Sequence, residues 1–161
     1  MKRTYIGIDN GVSGSIGIIT PEGDSFSFKT PIKTEQDYTK KKKIVSRIDV
    51  DQLMAELRDR KNPFVVIERP MVNPKMFNAT LSAVRALEAT LAVLEILGLP
   101  YRFIDSKEWQ KALLPEGTKG SVELKKASLD IGTRLFPGCK DYFKGDADGL
   151  LIAEHVRRQG W

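Results

Sequence analysis

The stretch that decides the fold is Tyr5-Ile-Gly-Ile-Asp9-Asn-Gly-Val-Ser-Gly14-Ser15-Ile-Gly-Ile-Ile-Thr20. Its two apolar halves predict two short strands, and the polar, glycine-rich segment between them supplies the residues that reverse a chain. A turn at residues 21–24 leads to Ser25-Phe-Ser-Phe-Lys29, whose alternation predicts a third, half-exposed strand. Three successive strands joined by tight turns make an antiparallel meander.

The rest of the chain predicts helices packed around this sheet. Phe64-Val-Val-Ile-Glu68 is an apolar run of the kind that is covered on both faces, in the middle of a sheet. Another strand is expected at residues 101–104. Helices are expected at residues 51–60, 79–97, 122–135 and 147–158, with Asn78 capping the second and Asp105 capping a shorter one. We therefore predict a single α/β domain over residues 1–161, with a mixed five-stranded sheet and helices on both faces.

The polar stretch at residues 34–47 includes four consecutive lysines, Lys40 to Lys43. Such a run predicts an exposed loop, which either contacts a negatively charged partner or merely keeps the protein in solution.

Composition excludes several classes of protein. The 161 residues are 41% apolar and 29% charged, which is ordinary for a globular domain. No apolar run reaches the ~20 residues that span a bilayer, and the first residues lack the apolar stretch of a signal peptide. The single cysteine, Cys139, fits a reducing cytoplasm, and with one histidine, His155, it cannot build a zinc site. The net charge of +5 favours a phosphate-bearing partner.

Four acids lie where strands end or a helix begins. Asp9 and Glu68 each end a strand, and Asp146 and Asp148 open the last helix. Carboxylates gathered at one sheet edge repel each other unless a cation lies between them, and oxygen ligands alone favour Mg²⁺ or Mn²⁺. Each acid also has a structural alternative. Asp9 can form a turn, Glu68 can pair with Arg69, and the two later acids can favour the start of a helix.

Three motifs carry a resemblance to a known family. Gly7-Ile-Asp-Asn-Gly-Val-Ser-Gly-Ser15, Val66-Ile-Glu-Arg-Pro70 and Asp146-Ala-Asp-Gly-Leu-Leu-Ile-Ala153 resemble, in order, the acidic motifs of RuvC-like Holliday junction resolvases, and more closely the phage-type branch. The resemblance spans nearly the whole chain. It implies a ribonuclease H-like fold, a homodimer and magnesium-dependent cleavage of branched DNA such as a four-way junction. It also implies a location in the cytoplasm of a bacterium or a phage-infected bacterium. By position, Asp9, Glu68 and Asp148 match three of the family's catalytic, metal-binding acids.

The fourth acid departs from the family pattern. The bacterial family has an acid or histidine three residues before the last acid, where this chain has Gly145. Asp146 lies only two residues before Asp148, and on a regular helix the two side chains would point about 200° apart. Asp146 therefore joins the site only if the chain is not yet helical there. Asp141 is a weaker substitute.

Basic residues are expected to contact DNA. The lysines that lead toward Asp148 are the best candidates for phosphate contacts, although a run of lysines is more often a solvated surface. These candidates are Lys107, Lys111, Lys119, Lys125 and Lys126.

In the resolvase family an aromatic residue near this point of the chain, after the Glu68 motif, is associated with the opened bases of the junction. Phe77 or Met71 can play that part, and the alternative is core packing of Phe77. His155 either faces the site or lies partly exposed on the surface.

Other functions remain open from sequence alone. A ribonuclease that cuts RNA–DNA hybrids would carry similar acids, and a non-catalytic junction-binding protein would share the fold. The first turn also resembles the phosphate loop of actin-like and sugar-kinase-like ATPases, which need two such domains to enclose a nucleotide.

If the chain forms a homodimer, the expected contact is the helix at residues 79–97, which carries Leu87, Leu91 and Ile96.

Overall fold

The computed structural model describes residues 3–161, and its main feature is a mixed five-stranded sheet. In chain order the elements are β1 (Thr4–Ile8), β2 (Ser15–Ile19), β3 (Ser25–Lys29), β4 (Ile32–Gln36), β5 (Ile44–Ile48), α1 (Val50–Leu57), β6 (Pro63–Glu68), α2 (Phe77–Ile96), β7 (Tyr101–Ile104), α3 (Ser106–Leu113), α4 (Ser121–Leu135) and α5 (Asp148–Gln159). Short 3₁₀ helices occupy Pro74–Met76 and Pro137–Tyr142.

The strand order is β3-β2-β1-β6-β7, and it confirms the predicted meander. The first three strands pair antiparallel, and β6 and β7 add on parallel to β1. β6 therefore has a neighbour on each side, as its uninterrupted apolar sequence predicted. Because β1 and β6 are parallel, their carboxyl ends meet at one edge of the sheet, where Asp9 and Glu68 lie.

Helices cover both faces of the sheet, as predicted. On one face, α3, α4 and α5 enclose a core that includes Trp109, Leu150 and Ile152. On the other face, α1 and α2 enclose a second core that includes Leu53 and Leu94. No helix within residues 3–161 is long and apolar enough to cross a membrane.

Helix α5 packs unusually close to the middle of the sheet, because three glycines remove the side chains between them. A Cβ on Gly7 would lie 2.2 Å from the carbonyl oxygen of Gly149, and one on Gly17 would lie 2.1 Å from the Cα of Leu150. A Cβ on Gly149 would lie 2.5 Å from the carbonyl oxygen of Ser15. No side chain fits at such distances, so these positions bring the start of α5 directly against β1 and β2.

The prediction of an exposed loop at residues 34–47 is right for the exposure and for the segment 37–43, but wrong for the two ends, which are strands. These residues form most of an antiparallel hairpin, β4–β5, which is a separate two-stranded sheet. An ion pair between Arg47 and Glu35 links the two strands. At the tip, Asp37 accepts hydrogen bonds from the backbone N–H groups of Thr39 and Lys43, both at 3.1 Å. The lysine run obscured this pattern, although the flanking β-branched residues favour strands.

The predicted cap of α2 is also wrong. Asn78 is the second residue of the helix, which begins at Phe77 directly after the 3₁₀ helix Pro74–Met76. Asn73 caps that continuous run instead, since its side chain accepts from the N–H of Lys75 at 3.0 Å. The predicted cap of α3 is confirmed, with Asp105 and Glu108 forming a reciprocal capping box.

Candidate metal centre

Three carboxylates meet at the edge of the sheet where β1 ends and α5 begins. Asp9, Asp146 and Asp148 each offer an oxygen, and these oxygens lie within 4.8 Å of one another. Asp9 directly follows β1, and its N–H donates to the carbonyl of Ser15 at 2.9 Å, which closes the turn into β2. The close packing of α5 on these two strands places the other two acids beside it.

Asp146 lies outside α5. The chain is therefore not yet helical at this residue, which is the condition under which Asp146 can join the site. The helix begins at Asp148, with Ala147 as its N-cap. Asp146 is 2% exposed, and its Oδ1 accepts from the N–H of Asp148 at 3.3 Å and from the hydroxyl of Ser15 at 3.2 Å. The carboxylate of Asp146 thus supports the start of the helix and also belongs to the acidic cluster. The sequence left these two roles as alternatives, and in the structure the residue has both positions at once.

Asp148 is the first residue of α5, and a buried serine on α4 holds its carboxylate. The hydroxyl of Ser128 donates a hydrogen bond to Asp148 and accepts one from the N–H of Ala147 at 3.1 Å. Gly132, also on α4, lets that helix come close, since a Cβ there would lie 2.3 Å from the Cβ of Ala147. Helix α4 therefore orients the carboxylate of Asp148 through Ser128.

Glu68 ends β6 beside the cluster but is not one of its three closely spaced acids. The indole N–H of Trp109, which is 1% exposed on α3, donates to its Oε2 at 2.6 Å. The suggested pairing of Glu68 with Arg69 is wrong, because Arg69 pairs with Asp105 at 2.8 Å. Glu68 is thus oriented by a neutral donor, which does not offset the charge of the carboxylate when it is ionised.

Burial and mutual repulsion raise the pKa values of these acids. Burial raises the pKa of Asp9 well above its usual range, and the charges of Asp148, Glu68 and Asp146 add to the effect. The pKa of Glu68 rises to about 7, chiefly through burial, although the Trp109 hydrogen bond opposes the rise. The pKa of Asp148 rises to about 6, through burial and then the charge of Asp146. Such a cluster is destabilised by its own charge at neutral pH.

One cation reaches this cluster from β3. The ammonium of Lys29 lies 3.9 Å from Oδ2 of Asp146 and donates to the carbonyl of Ser13 at 3.1 Å. Lys29 also lowers the pKa values of Asp9 and Asp148, though less than burial raises them. Lys125, on α4, also lowers the pKa of Asp148, yet the pKa values of Asp9, Glu68 and Asp148 all stay raised, so these two cations do not offset the negative charge of the acids.

The donor set fits a hard divalent cation. Asp9, Asp146 and Asp148 would hold the cation through carboxylate oxygens, with Glu68 next to them, and no sulfur or imidazole ligand belongs to the cluster among residues 3–161.

Two other residues considered for the site lie outside the cluster. Asp141, the possible substitute for the fourth acid, is exposed. His155 is buried, 7% exposed, so its expected surface position is wrong, and it is not part of the cluster.

The lysines predicted to contact DNA are all exposed. Lys107, Lys111 and Lys119 line a groove of about 590 Å³ between α3 and α4. Lys125 is close enough to lower the pKa of Asp148, and Lys126 is exposed beside it.

Two apolar side chains after Glu68 are exposed rather than packed. Phe77 is 69% exposed and Met71 is 80% exposed. The alternative of core packing for Phe77 is therefore wrong.

Four residues of the site were not predicted from the sequence: Ser15, Lys29, Trp109 and Ser128. Trp109 carried a usable signal, because a tryptophan in an otherwise polar helix is expected to be buried and its indole N–H then needs an acceptor. The two serines and the lysine carried none, since their partners are distant in sequence.

No protein-family model and no curated protein matches this sequence. Solved structures do match it. Thermus thermophilus RuvC in complex with a Holliday junction substrate superposes with a TM-score of 0.60 at 17% identity, over 98% of this chain and 96% of that one. A second structure of T. thermophilus RuvC gives a TM-score of 0.53 at the same identity and coverage. The chain has the RuvC fold. The ribonuclease H-like architecture predicted from the sequence is thereby confirmed, and at this identity the likeness concerns the fold alone.

Proposed function

We propose that this protein is a magnesium-dependent endonuclease that cleaves branched DNA and resolves four-way junctions by paired, symmetric nicks. The observation that carries the proposal is the convergence of Asp9, Asp146 and Asp148 within 4.8 Å on a RuvC-type sheet. The motif resemblance, which extends to the phage-type branch, and the net charge of +5 support the same substrate class.

Each residue has a defined part in the proposed reaction. Asp9, Asp146 and Asp148 hold Mg²⁺, for which Mn²⁺ can substitute, and Glu68 completes the acidic edge. A metal held by these acids would supply the activation of water and the charge stabilisation that phosphodiester cleavage needs. The protein's own contribution is orientation, because Ser15, Ser128 and Trp109 fix one acid each by hydrogen bonding.

The surface around the site would hold the DNA. Lysines supply most of the affinity for phosphates, so the groove of Lys107, Lys111 and Lys119, together with Lys125 and Lys126, is proposed as a backbone contact. The exposed Phe77 is proposed as the apolar side chain that enters opened bases at the branch point.

The proposed assembly is a two-fold homodimer, because a four-way junction offers two equivalent strands and one chain carries one acidic cluster among its described residues. The suggested contact, α2, fits this in part. Val84 and Ile96 are exposed, whereas Leu87 and Leu91 pack partly against the second core.

The decisive experiment is incubation with a four-way junction, a linear duplex and an RNA–DNA hybrid, with and without magnesium. Cleavage of the junction alone supports the proposal, and preferential cleavage of the hybrid would assign a different nuclease.

Asp9→Asn and Asp148→Asn should abolish cleavage while junction binding survives, because the acids serve the chemistry and the lysines supply the affinity for DNA. Asp141→Asn, an exposed acid outside the cluster, is the matched control and should cleave normally. Normal cleavage by the Asp9 variant would remove that residue from the site.

A further inference from the structure

A second groove lies between the β4–β5 hairpin and the first turns of α2. Its volume is about 860 Å³. One wall is the tip of the hairpin, and the other is the side of α2 that carries Phe77, Leu81 and Arg85. This groove is separate from the lysine groove between α3 and α4, which different residues line.

The groove is strongly basic. Lys40, Lys41, Lys43 and Arg85 line it, and Asp37 is the one acid among its described lining residues. That carboxylate is already engaged within the hairpin tip, where its Oδ1 accepts from the hydroxyl of Thr39 at 2.6 Å and from two backbone N–H groups. Lys40, Lys41 and Lys43 form no salt bridge among the described residues, although the charge of Lys43 lowers the pKa of Asp37, and the ordered turn holds these three lysines on one short segment.

The same groove exposes aromatic rings on both walls. Tyr38, at the hairpin tip, is 88% exposed, and Phe77, on α2, is 69% exposed. The guanidinium carbon of Arg85 lies 5.9 Å from the centroid of the Tyr38 ring, which steadies that ring by a cation–π contact. An aromatic ring that is open to solvent offers a surface on which a nucleobase can stack.

The groove adjoins the acidic edge of the sheet. Val12, which belongs to the turn that follows Asp9, lines the groove. On the other side of the same helical turns, Met76 and Thr80 line a cavity of about 270 Å³ that also contains Glu68. The start of α2 thus lines both the groove and the cavity that contains Glu68.

We propose that this groove binds a single-stranded segment of DNA, with its phosphates on Lys40, Lys41 and Lys43 and a base stacked on Tyr38. Lysines beside exposed aromatic rings are the combination that single strands require, because the backbone needs cations and unpaired bases need stacking partners. A duplex keeps the faces of its bases covered, so it would leave Tyr38 and Phe77 unused. The link between this groove and cleavage rests on the function proposed above, since an opened branch point supplies such a strand.

Binding of a fluorescent oligothymidylate to the full chain in EDTA, followed by anisotropy, tests the proposal. Tyr38→Ala should weaken binding roughly 5- to 100-fold, whereas Tyr38→Phe keeps the ring and should bind normally. The triple alanine variant of Lys40, Lys41 and Lys43 should also bind weakly, and its slope of log affinity against log salt should be smaller by about two. Lys33→Ala is the matched control, because Lys33 is exposed on the same hairpin but does not line the groove.

Two results would overturn the proposal. One is unchanged oligothymidylate binding by either the Tyr38→Ala or the triple lysine variant, with circular dichroism showing that the variant is folded. The other is Tyr38-dependent binding of polyglutamate without binding of oligothymidylate, which would assign the groove to an acidic protein segment.

Cleavage assays on the same proteins separate this proposal from the proposed function. Tyr38-dependent binding of the oligonucleotide by a protein that cleaves no junction, duplex or hybrid would retain the groove and refute the nuclease. Junction cleavage by wild type, together with oligonucleotide binding that ignores Tyr38, would retain the nuclease and refute the groove.

Discussion

At the scale of single residues, the acids are held by neutral hydrogen-bond donors. Ser15, Ser128 and Trp109 each donate to a different carboxylate. A neutral donor orients an acid without cancelling its charge, so the negative potential needed to attract a cation persists. Lys29 is the exception, and its ammonium lies 3.9 Å from Asp146, beyond the length of a direct hydrogen bond.

Trp109→Phe tests how far orientation matters. The change keeps an aromatic ring in the core but removes the N–H that donates to Glu68. A hydrogen bond to a charged group contributes about 1.5–3 kcal/mol, so we expect kcat to fall about tenfold or more. Because that N–H lowers the pKa of Glu68, the acid limb of the pH–rate profile should also move to higher pH. Trp161→Phe, at the only other tryptophan, is the control. An unchanged pH profile in the Trp109 variant would argue against this role.

The raised pKa values predict how the metal-free protein responds to pH. The pKa of Asp148 rises from 3.8 to about 6 on folding, and that of Glu68 rises from 4.5 to about 7. Between these values the folded chain retains protons that the unfolded chain has lost. The free energy of unfolding should therefore fall as the pH rises from about 4 through 6 to 7, and denaturant titrations in EDTA at several pH values measure it.

Asp148→Asn should stabilise the metal-free protein at pH 7.5 by about 1–2 kcal/mol, because it removes a charge that burial and Asp146 disfavour. The gain should shrink toward pH 5, and added Mg²⁺ or Mn²⁺ should stabilise wild type more than the variant. Equal or lower stability of the variant in EDTA at pH 7.5 would show that the acids are not in electrostatic conflict.

At the scale of elements, the site depends on how closely α5 approaches the sheet. Gly149→Ala would place a Cβ 2.5 Å from the carbonyl oxygen of Ser15, a backbone atom that cannot rotate away. We expect a loss of about 1–3 kcal/mol in stability and weaker metal binding, since the helix that carries Asp148 must shift. Gly138→Ala is the control, because its Cβ would meet no atom within 4 Å. Calorimetry of Mn²⁺ binding with thermal melts measures both effects, and wild-type values for the Gly149 variant would contradict this account.

At the scale of the whole molecule, the proposed dimer gives a separate test. Light scattering should give twice the mass of one chain, and Ile96→Asp should reduce it to one by placing a charge on an exposed apolar position of α2. Val122→Asp, at an exposed apolar residue of α4, is the control and should remain dimeric. A wild-type protein that stays monomeric on a junction and makes only single nicks would refute the dimer.

The sequence alone determined the sheet, its helices on both faces, and the edge at which the acids gather. Alternation, apolar runs and turn residues are local properties, and they fixed the meander and the β6 strand. In the predicted sheet Asp9 and Glu68 each end a strand and were expected at one edge, and the parallel pairing of β1 and β6 confirms that placement. The acids themselves were identifiable because a carboxylate at the end of a buried strand is costly without a partner.

Only the tertiary structure decided which groups surround those acids. Asp146 joins the cluster because α5 begins only at Asp148, so that residue 146 is not helical. No local sequence pattern predicts the start of a helix to within one residue. Ser128 and Trp109 meet their acids across 20 and 41 residues of chain, through helix packing that the sequence does not display. The β4–β5 hairpin was hidden for a related reason. Its strands are stabilised by pairing across the hairpin, whereas the lysines between them resemble those of a solvated loop.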